Sequence, residues 1–355
     1  MAVDIREILK TMLGKKASDL HVTANSPIRL RVDEKLSPIN DKILSPKETK
    51  ESIYALLTEE QIKRFEREWE LDFSLEIKNL ARFRVNVFYQ RGNLGCAIRL
   101  IPFDIMSFEQ CGLPSGLVTG LCKKQKGLVL VTGATGSGKS TSLASMVDFI
   151  NTNRPCHIIT VEDPIEFVHK NKKAIVDQRE VYRDTRSFAD SLKHVLRQDP
   201  DVILIGEMRD LETIESALII AETGHLVFAT LHTSDAAQTV NRIIDVFPAH
   251  QQQQIKAQLS FVLLAVLSQQ LVPHVSGSGR VLATEVLTAK PALRSMIREG
   301  KIHQIYSVIQ TSQKDGMKTM NQSLADLYVK KMVSLEECCL RSADPEELYK
   351  LVKMR

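Results

Sequence analysis

Apolar residues recur at helical spacing near the start of the chain, where Ile5, Ile8, Leu9, Met12 and Leu13 share a face and Gly14 stops the helix. Residues 20–23 and 28–32 alternate like half-buried strands around the turn Asn25-Ser26-Pro27, which predicts a hairpin. Helices over 46–57 and 59–68 and strands over 71–77, 82–90 and 94–101 complete a small α+β module. Residues 102–120 carry proline and glycine without a clear period and read as a linker. From Gly127 the pattern alternates: strands over 128–132, 157–161, 202–205 and 226–231, helices over 140–150, 187–197, 212–223 and 235–245. Residues 251–272 begin polar and finish apolar, as a helix that enters a core would. A strand over 281–287, a helix opened by Pro291 and helices near 300–310, 319–331, 334–340 and 345–353 follow.

Apolar strands alternating with amphipathic helices imply a parallel sheet covered on both faces, so the fold class is α/β. The domains are then 1–101, a linker 102–120, a core 121–290 and a helical C-terminal region 291–355. In such sheets ligands sit at the carboxyl ends of the strands.

The chain has 355 residues, of which 43% are hydrophobic and 25% charged, an ordinary globular composition. A net charge of +4 falls short of the dense basic stripe that nucleic-acid binding leaves, so no direct nucleic-acid partner is expected. The six cysteines include no Cys-x-x-Cys pair, which suggests reduced thiols in the cytoplasm. Asp4, Arg6 and Glu7 stand where a signal peptide needs an apolar core, and the run Phe261–Leu267 is too short to span a bilayer.

The first strand of the alternating region is followed by Gly133-Ala134-Thr135-Gly136-Ser137-Gly138-Lys139-Ser140, and Thr141 continues into a helix. Strand, glycine-rich loop and helix form the phosphate-binding context: backbone N–H groups cradle phosphate oxygens, Lys139 reaches the β and γ phosphates and Ser140 ligates Mg²⁺. ATP and Mg²⁺ are the expected substrate and cofactor. Glu162, Asp163 and Glu166 follow the strand 157–161, and Glu162, the carboxylate nearest the strand, is expected to polarise the attacking water. After strand 202–205 a Gly206-Glu207 pair replaces the aspartate that usually holds the Mg²⁺ shell. His232 closes the strand 226–231 where a γ-phosphate sensor would sit, whereas His225 opens it at the other end. On the strand 81–90, Phe83, Val85, Val87 and Tyr89 make an apolar face, while Arg82, Arg84, Asn86 and Gln90 face the other way. That polar face reads as solvated or as a source of arginine fingers.

The ordered set 133–140, 160–166, 199–210 and 224–233 resembles the Walker A, Asp box, atypical Walker B and His box of the secretion ATPase superfamily of type II secretion and type IV pili. Within it, three features resemble the pilus retraction ATPases: the early Ser18-Asp-Leu-His-Val and Leu30-Arg-Val-Asp33, the lack of a paired-cysteine insertion, and Ala292-Leu-Arg-Ser-Met-Ile-Arg-Glu299. The last departs at Leu293, Ser295 and Met296 from the motif linked to retraction, and Tyr182 stands where the family has glycine. The resemblance implies a PAS-like N-terminal domain, a RecA-like motor and a homohexamer in the cytoplasm, peripheral at the inner membrane. It also implies a pilus platform protein as partner, pilin acted on indirectly, and pilus retraction as the work done. It implies that Arg84 and Arg99, fifteen residues apart, act across a subunit interface, that Glu207 organises the metal shell, and that His225 and His232 couple nucleotide state to domain position. Arg294 and Arg298 would carry the retraction motif. Pilus extension, type II secretion, a RecA-like nucleic-acid motor and an ATP-binding regulator without turnover are the competing readings.

Overall fold

The computed structural model describes residues 3–15, 17–32, 35–77, 81–101 and 105–353. Asp33 and residues 102–104 of the expected linker lie outside them. Backbone contacts divide the chain into two compact units, Met1–Asp104 and Ile105–Arg355.

The first unit runs α1 (Ile5–Gly14), β1 (Asp19–Thr23), β2 (Pro27–Val32), β3 (Lys35–Ile43), α2 (Pro46–Tyr54), α3 (Glu59–Glu68), β4 (Glu70–Ile77), β5 (Ala81–Gln90) and β6 (Asn93–Ile101). Its strands form one sheet in the order β3-β2-β1-β6-β5-β4. The expected hairpin is the antiparallel pair β1–β2, with Leu20 opposite Leu30. Phe83, Val85 and Val87 of β5 are fully buried, joining Ile5, Leu9 and Met12 of α1 in one core. The sequence pattern misses β3: none of its residues is buried, so it has no apolar alternation to show.

The second unit contains α4 (Phe108–Cys111), α5 (Ser115–Cys122), β7 (Gly127–Thr132), α6 (Lys139–Asn153), β8 (His157–Glu162), β9 (Ile175–Glu180), α7 (Phe188–Val195), β10 (Val202–Ile205), α8 (Leu211–Glu222), β11 (Leu226–Leu231) and α9 (Ala236–Asp245). It continues with α10 (Ala249–Val262), β12 (Leu263–Pro273), β13 (Arg280–Thr288), α11 (Pro291–Glu299), α12 (Ile305–Thr311), α13 (Met320–Val329), α14 (Leu335–Arg341) and α15 (Pro345–Lys353). The sheet order is β13-β12-β7-β11-β10-β8-β9, parallel except for β13. Alternate residues feed two cores: Leu128, Ile159, Ile203 and Val227 meet α7 to α12, whereas Val129, Ile158, Leu204 and Phe228 meet α4 to α6. The strand carrying the glycine-rich loop is thus central, and β11 separates it from β10.

Two expectations are corrected. Within 102–120 the chain is not a bare linker: α4 and α5 pack on α6, with Val118 and Cys122 fully buried and the Phe108 ring 5.2 Å from that of Phe149. Each helix is too short to declare a period. The stretch 251–272 is not one helix: α10 ends at Val262 and the chain enters β12, which pairs in parallel with β7 and antiparallel with β13. A strand buried on both faces is a continuous apolar run, and so is a buried helix segment.

Candidate active site

All six residues of β7 are buried, and at its carboxyl end the backbone turns sharply at Gly133, with φ 139°. A Cβ there would lie 2.4 Å from the Gln269 carbonyl oxygen of β12, so only glycine fits. Gly138, also left-handed with φ 93°, delivers the chain into α6 at Lys139. Ala134, Thr135 and Gly136 form an exposed rim at the start of this helix, and Ser140 is exposed beside it. The Ser137 hydroxyl is buried without a hydrogen-bond partner among the described residues. An unpaired hydroxyl under a glycine cradle at a helix N-terminus suits phosphate. Lys139 is 9% exposed, and its ammonium donates to the carbonyls of Gly133 (2.7 Å) and Ala134 (3.1 Å). Burial draws its pKa down, opposed by the charges of Glu207 and then Glu166.

Glu207 leaves β10 immediately after Gly206, whose N–H donates to the Val161 carbonyl of β8 (2.8 Å). A Cβ on Gly206 would press on that carbonyl and on the Glu162 backbone at 3.1 and 3.2 Å, which accounts for the Gly-Glu pair at this strand end. The Glu207 carboxylate lies 2.7 Å from Arg209 Nε and 3.3 Å from His232 Nε2. Burial would raise its pKa, but the Arg209 hydrogen bond and the charges of His232, Arg209 and Lys139 outweigh it and hold the group below its ordinary value. An ionised carboxylate and an exposed Ser140 hydroxyl are a donor set suited to Mg²⁺ with its water shell. Arg209, part of this cluster, carried no signal in the sequence beyond its neighbourhood.

Glu162 ends β8, and its Oε1 accepts from Thr160 Oγ1 (2.6 Å) and Gln178 Nε2 (3.2 Å). Burial pushes its pKa up to about 7 against these two donors and the Glu166 backbone N–H. The strand order puts β8 three spacings from β7, about 14 Å, and the carboxylate whose charge reaches Lys139 from this loop is Glu166. Glu162 thus stands at the strand end with Oε1 accepting from Thr160 and Gln178.

His225 is not brought to this site. It precedes β11 at the end opposite His232, about 20 Å away along the strand. There its Nδ1 lies 3.1 Å from the Ile220 carbonyl and 3.2 Å from Thr223 Oγ1, closing the end of α8.

Arg84 and Arg99 belong to the first unit and are direct cross-strand partners on β5 and β6. Like charges placed opposite repel. Asp72 lies 3.9 Å from Arg84 and Asp19 2.7 Å from Arg99, offsetting part of that repulsion. Burial would raise the Asp19 pKa, but hydrogen bonds from Arg99 and Ser18 bring it below normal. Arg99 remains 70% exposed, so the pair can still meet an anion.

Arg294 and Arg298 differ in kind. The Arg294 guanidinium donates to the carbonyls of Ala289, Ser260, Phe261 and Leu263, clasping the junction of α10 and β12. Arg298 contacts Ser260 Oγ at 3.4 Å and lies 6.0 Å from the centre of the exposed Phe261 ring. Tyr182, in place of a glycine, adopts φ 65° on an exposed turn.

Among known proteins, the family model described as type II/IV secretion system protein matches residues 1–339. The chain is 46% identical over 344 residues to the type IV pilus retraction ATPase PilT of Pseudomonas aeruginosa, covering 97% of this chain and 99% of that one. It is 40% identical over 352 residues to the type IV pilus ATPase PilU of the same organism, covering 99% and 92%. Among solved structures, the pilus retraction motor PilT with bound ADP superposes with a TM-score of 0.90 at 48% identity, covering 98% of this chain and 99% of that one. The Legionella pneumophila ATPase DotB gives 0.80 at 28% identity, covering 95% and 94%.

Proposed function

The chain belongs to the type II/IV secretion system protein family and is an ATPase of the kind that retracts type IV pili, and we propose that it hydrolyses ATP at the carboxyl end of its parallel sheet with Lys139, Glu207 and Glu166 as the working groups. The observation that carries this reading is the glycine loop at the start of α6, where the buried Lys139 ammonium rests on the Gly133 and Ala134 carbonyls and Glu207, just past the end of β10, pairs with Arg209 and His232. Gly133 to Thr141 hold the triphosphate with backbone N–H groups, and Lys139 leaves the Gly133 and Ala134 carbonyls for the β and γ phosphates. Ser140 and Glu207 would hold Mg²⁺, which supplies positive charge against the phosphoryl oxygens when bound. Glu166 accepts the proton of the attacking water, and His232 reads the presence of the γ phosphate through Glu207.

A second reading keeps Glu162 as the base. It is favoured by that group's pKa of about 7, poised for proton transfer near neutrality.

Residues 1–101 serve as a PAS-like domain that offers Arg84 and Arg99 to a neighbouring subunit's nucleotide, 121–290 as the RecA-like core, and 291–355 as its helical cap. The assembly is a homohexamer on the cytoplasmic side of the inner membrane, acting through a pilus platform protein to remove pilin. Among the described residues no helix is long and apolar enough to cross a membrane, so attachment through such a partner suits the chain.

Glu166→Gln tests the reading at two levels. In solution it lowers kcat by about 10²–10⁴ while nucleotide binding persists. In the source bacterium the same substitution leaves excess surface pili and abolishes surface motility, because extension continues unopposed. Undiminished turnover sinks the assignment of Glu166, and bald cells would assign the motor to extension.

A further inference from the structure

In the first unit β6 lies between β1 and β5, and one register row across the sheet reads Arg31, Asp19, Arg99, Arg84. Partners in register share a face, so one carboxylate stands among three guanidinium groups. Asp19 is the buried member of the row, 8% exposed. Its Oδ1 accepts from Arg99 Nε and its Oδ2 from Ser18 Oγ, both at 2.7 Å, while Arg31 Nε stands 3.9 Å from Oδ2. Ser18 is itself fastened to two strands. Its N–H donates to the Arg31 carbonyl of β2 (2.9 Å), and its carbonyl accepts from the Leu100 N–H of β6 (3.0 Å). The support that runs from Ser18 through Asp19 to Arg99 is therefore tied to the sheet at its base. At its tip Arg99 is held by one nitrogen. Among the described residues Nη1 and Nη2 have no hydrogen-bond partner, and the side chain is 70% exposed. Those two nitrogens form a fork that matches phosphate oxygens. An exposed arginine has about 2 kcal/mol of rotamer entropy to lose, and Arg84 across the strand pair repels it. Neither effect would keep the fork in one place, whereas the hydrogen bond to Asp19 does.

We propose that Asp19 is a positioning residue for Arg99: braced by Ser18, its carboxylate holds the guanidinium by Nε so that the terminal fork is presented to an anion. The proposal rests on the reading of Arg99 as a group offered to a neighbouring subunit's nucleotide. It goes beyond that reading in giving Asp19 and Ser18, which touch no phosphate, a part in turnover.

The test measures kcat and KM for ATP on the full chain, with melting temperature and ADP binding as controls for folding. Arg99→Ala sets the loss when the arginine is gone, about 10³-fold in kcat. Asp19→Ala keeps the arginine without its hold, and kcat falls about 10–100-fold while KM for ATP changes far less. Asp19→Asn keeps an oxygen for Arg99 Nε and gains an N–H for Ser18 Oγ, so it stays within about threefold of wild type although the charge is gone. The two Asp19 variants lose the same charge and differ in their hydrogen bonds, so equal kcat for the pair overturns positioning. A residue that acts through Arg99 has nothing to act on once Arg99 is absent. Adding Asp19→Ala to Arg99→Ala accordingly lowers kcat by less than about twofold, and a further loss of about 10-fold overturns the proposal. Ser18→Ala guards against a misfolded Asp19→Ala, because Ser18 is exposed. It costs about 3–10-fold in kcat alone and nothing measurable in the Arg99→Ala background. Undiminished turnover in both Ser18→Ala and Asp19→Ala overturns positioning while Arg99 keeps its role. A fully active Arg99→Ala removes that role itself.

Discussion

A single buried carboxylate shows how side-chain chemistry reaches the whole second unit. Glu285 on β13 is 2% exposed and accepts from the Ala236 N–H at the start of α9 (2.8 Å). Burial, reinforced by the charge of Asp235, pushes its pKa up to about 7 against the N–H groups of Ala236 and Met320. A carboxyl whose folded pKa exceeds the ordinary 4.5 adds stability fully below that value, and the contribution is lost as pH rises through about 7. Glutamine keeps the acceptor and cannot ionise. Glu285→Gln is therefore expected to unfold at higher temperature than wild type at pH 8, by up to about 3 kcal/mol at about 1.4 kcal/mol per pKa unit, and to lose that advantage by pH 5. Glu162 shifts in the same direction and remains in both proteins, so the difference between their melting curves isolates Glu285. Equal pH dependence of the two would show that the Glu285 carboxyl is not held in its neutral form. At this scale the sequence exposes residues whose role depends on local spacing, such as Gly133, Lys139 and Glu207. It hides those whose role depends on a neighbour from elsewhere in the chain: Gln178 donating to Glu162, and Ser268 of β12 accepting from Thr132 at 2.9 Å.

Elements were legible where period and punctuation agreed. The capping box of Ser45 and Glu48 opens α2, and the apolar face of β5 alternates as a strand face should. They were hidden where burial on both sides erased the period, as in β12, or where exposure did, as in β3. Arg294 marks the first of these boundaries chemically. Its four carbonyl partners include the last ones of α10, which have no helical N–H of their own, and a cation there also suits the negative end of the helix. Arg298 makes no comparable clasp. Arg294→Ala is expected to cost about 1.5–3 kcal/mol, read as a drop in melting temperature, whereas Arg298→Ala should leave stability nearly unchanged. If Arg298→Ala nonetheless abolishes surface motility with ATP turnover intact, the motif divides into a structural and a working arginine. Equal melting temperatures for the two variants would contradict the division.

At the scale of the whole molecule, Arg84 and Arg99 have no assigned work within one copy of the chain. Two arginines held opposite each other on a sheet, with Arg99 70% exposed, form a basic patch suited to an added anion. A phosphate presented by another subunit would supply it. Subunit mixing tests this directly. Glu166→Gln and Arg99→Ala should each be inactive alone, the first lacking the base and the second lacking the arginine. When they are co-expressed in equal amounts, a site with its base from one subunit and its arginine from the neighbour occurs at about one interface in four in a randomly assembled ring. Turnover near a quarter of wild type per site is expected if the sites fire independently, and less if firing must pass around the ring. If both groups belonged to the same chain's site, every subunit would carry one defect and no mixture would recover activity. Recovery therefore decides whether the arginines reach across the interface.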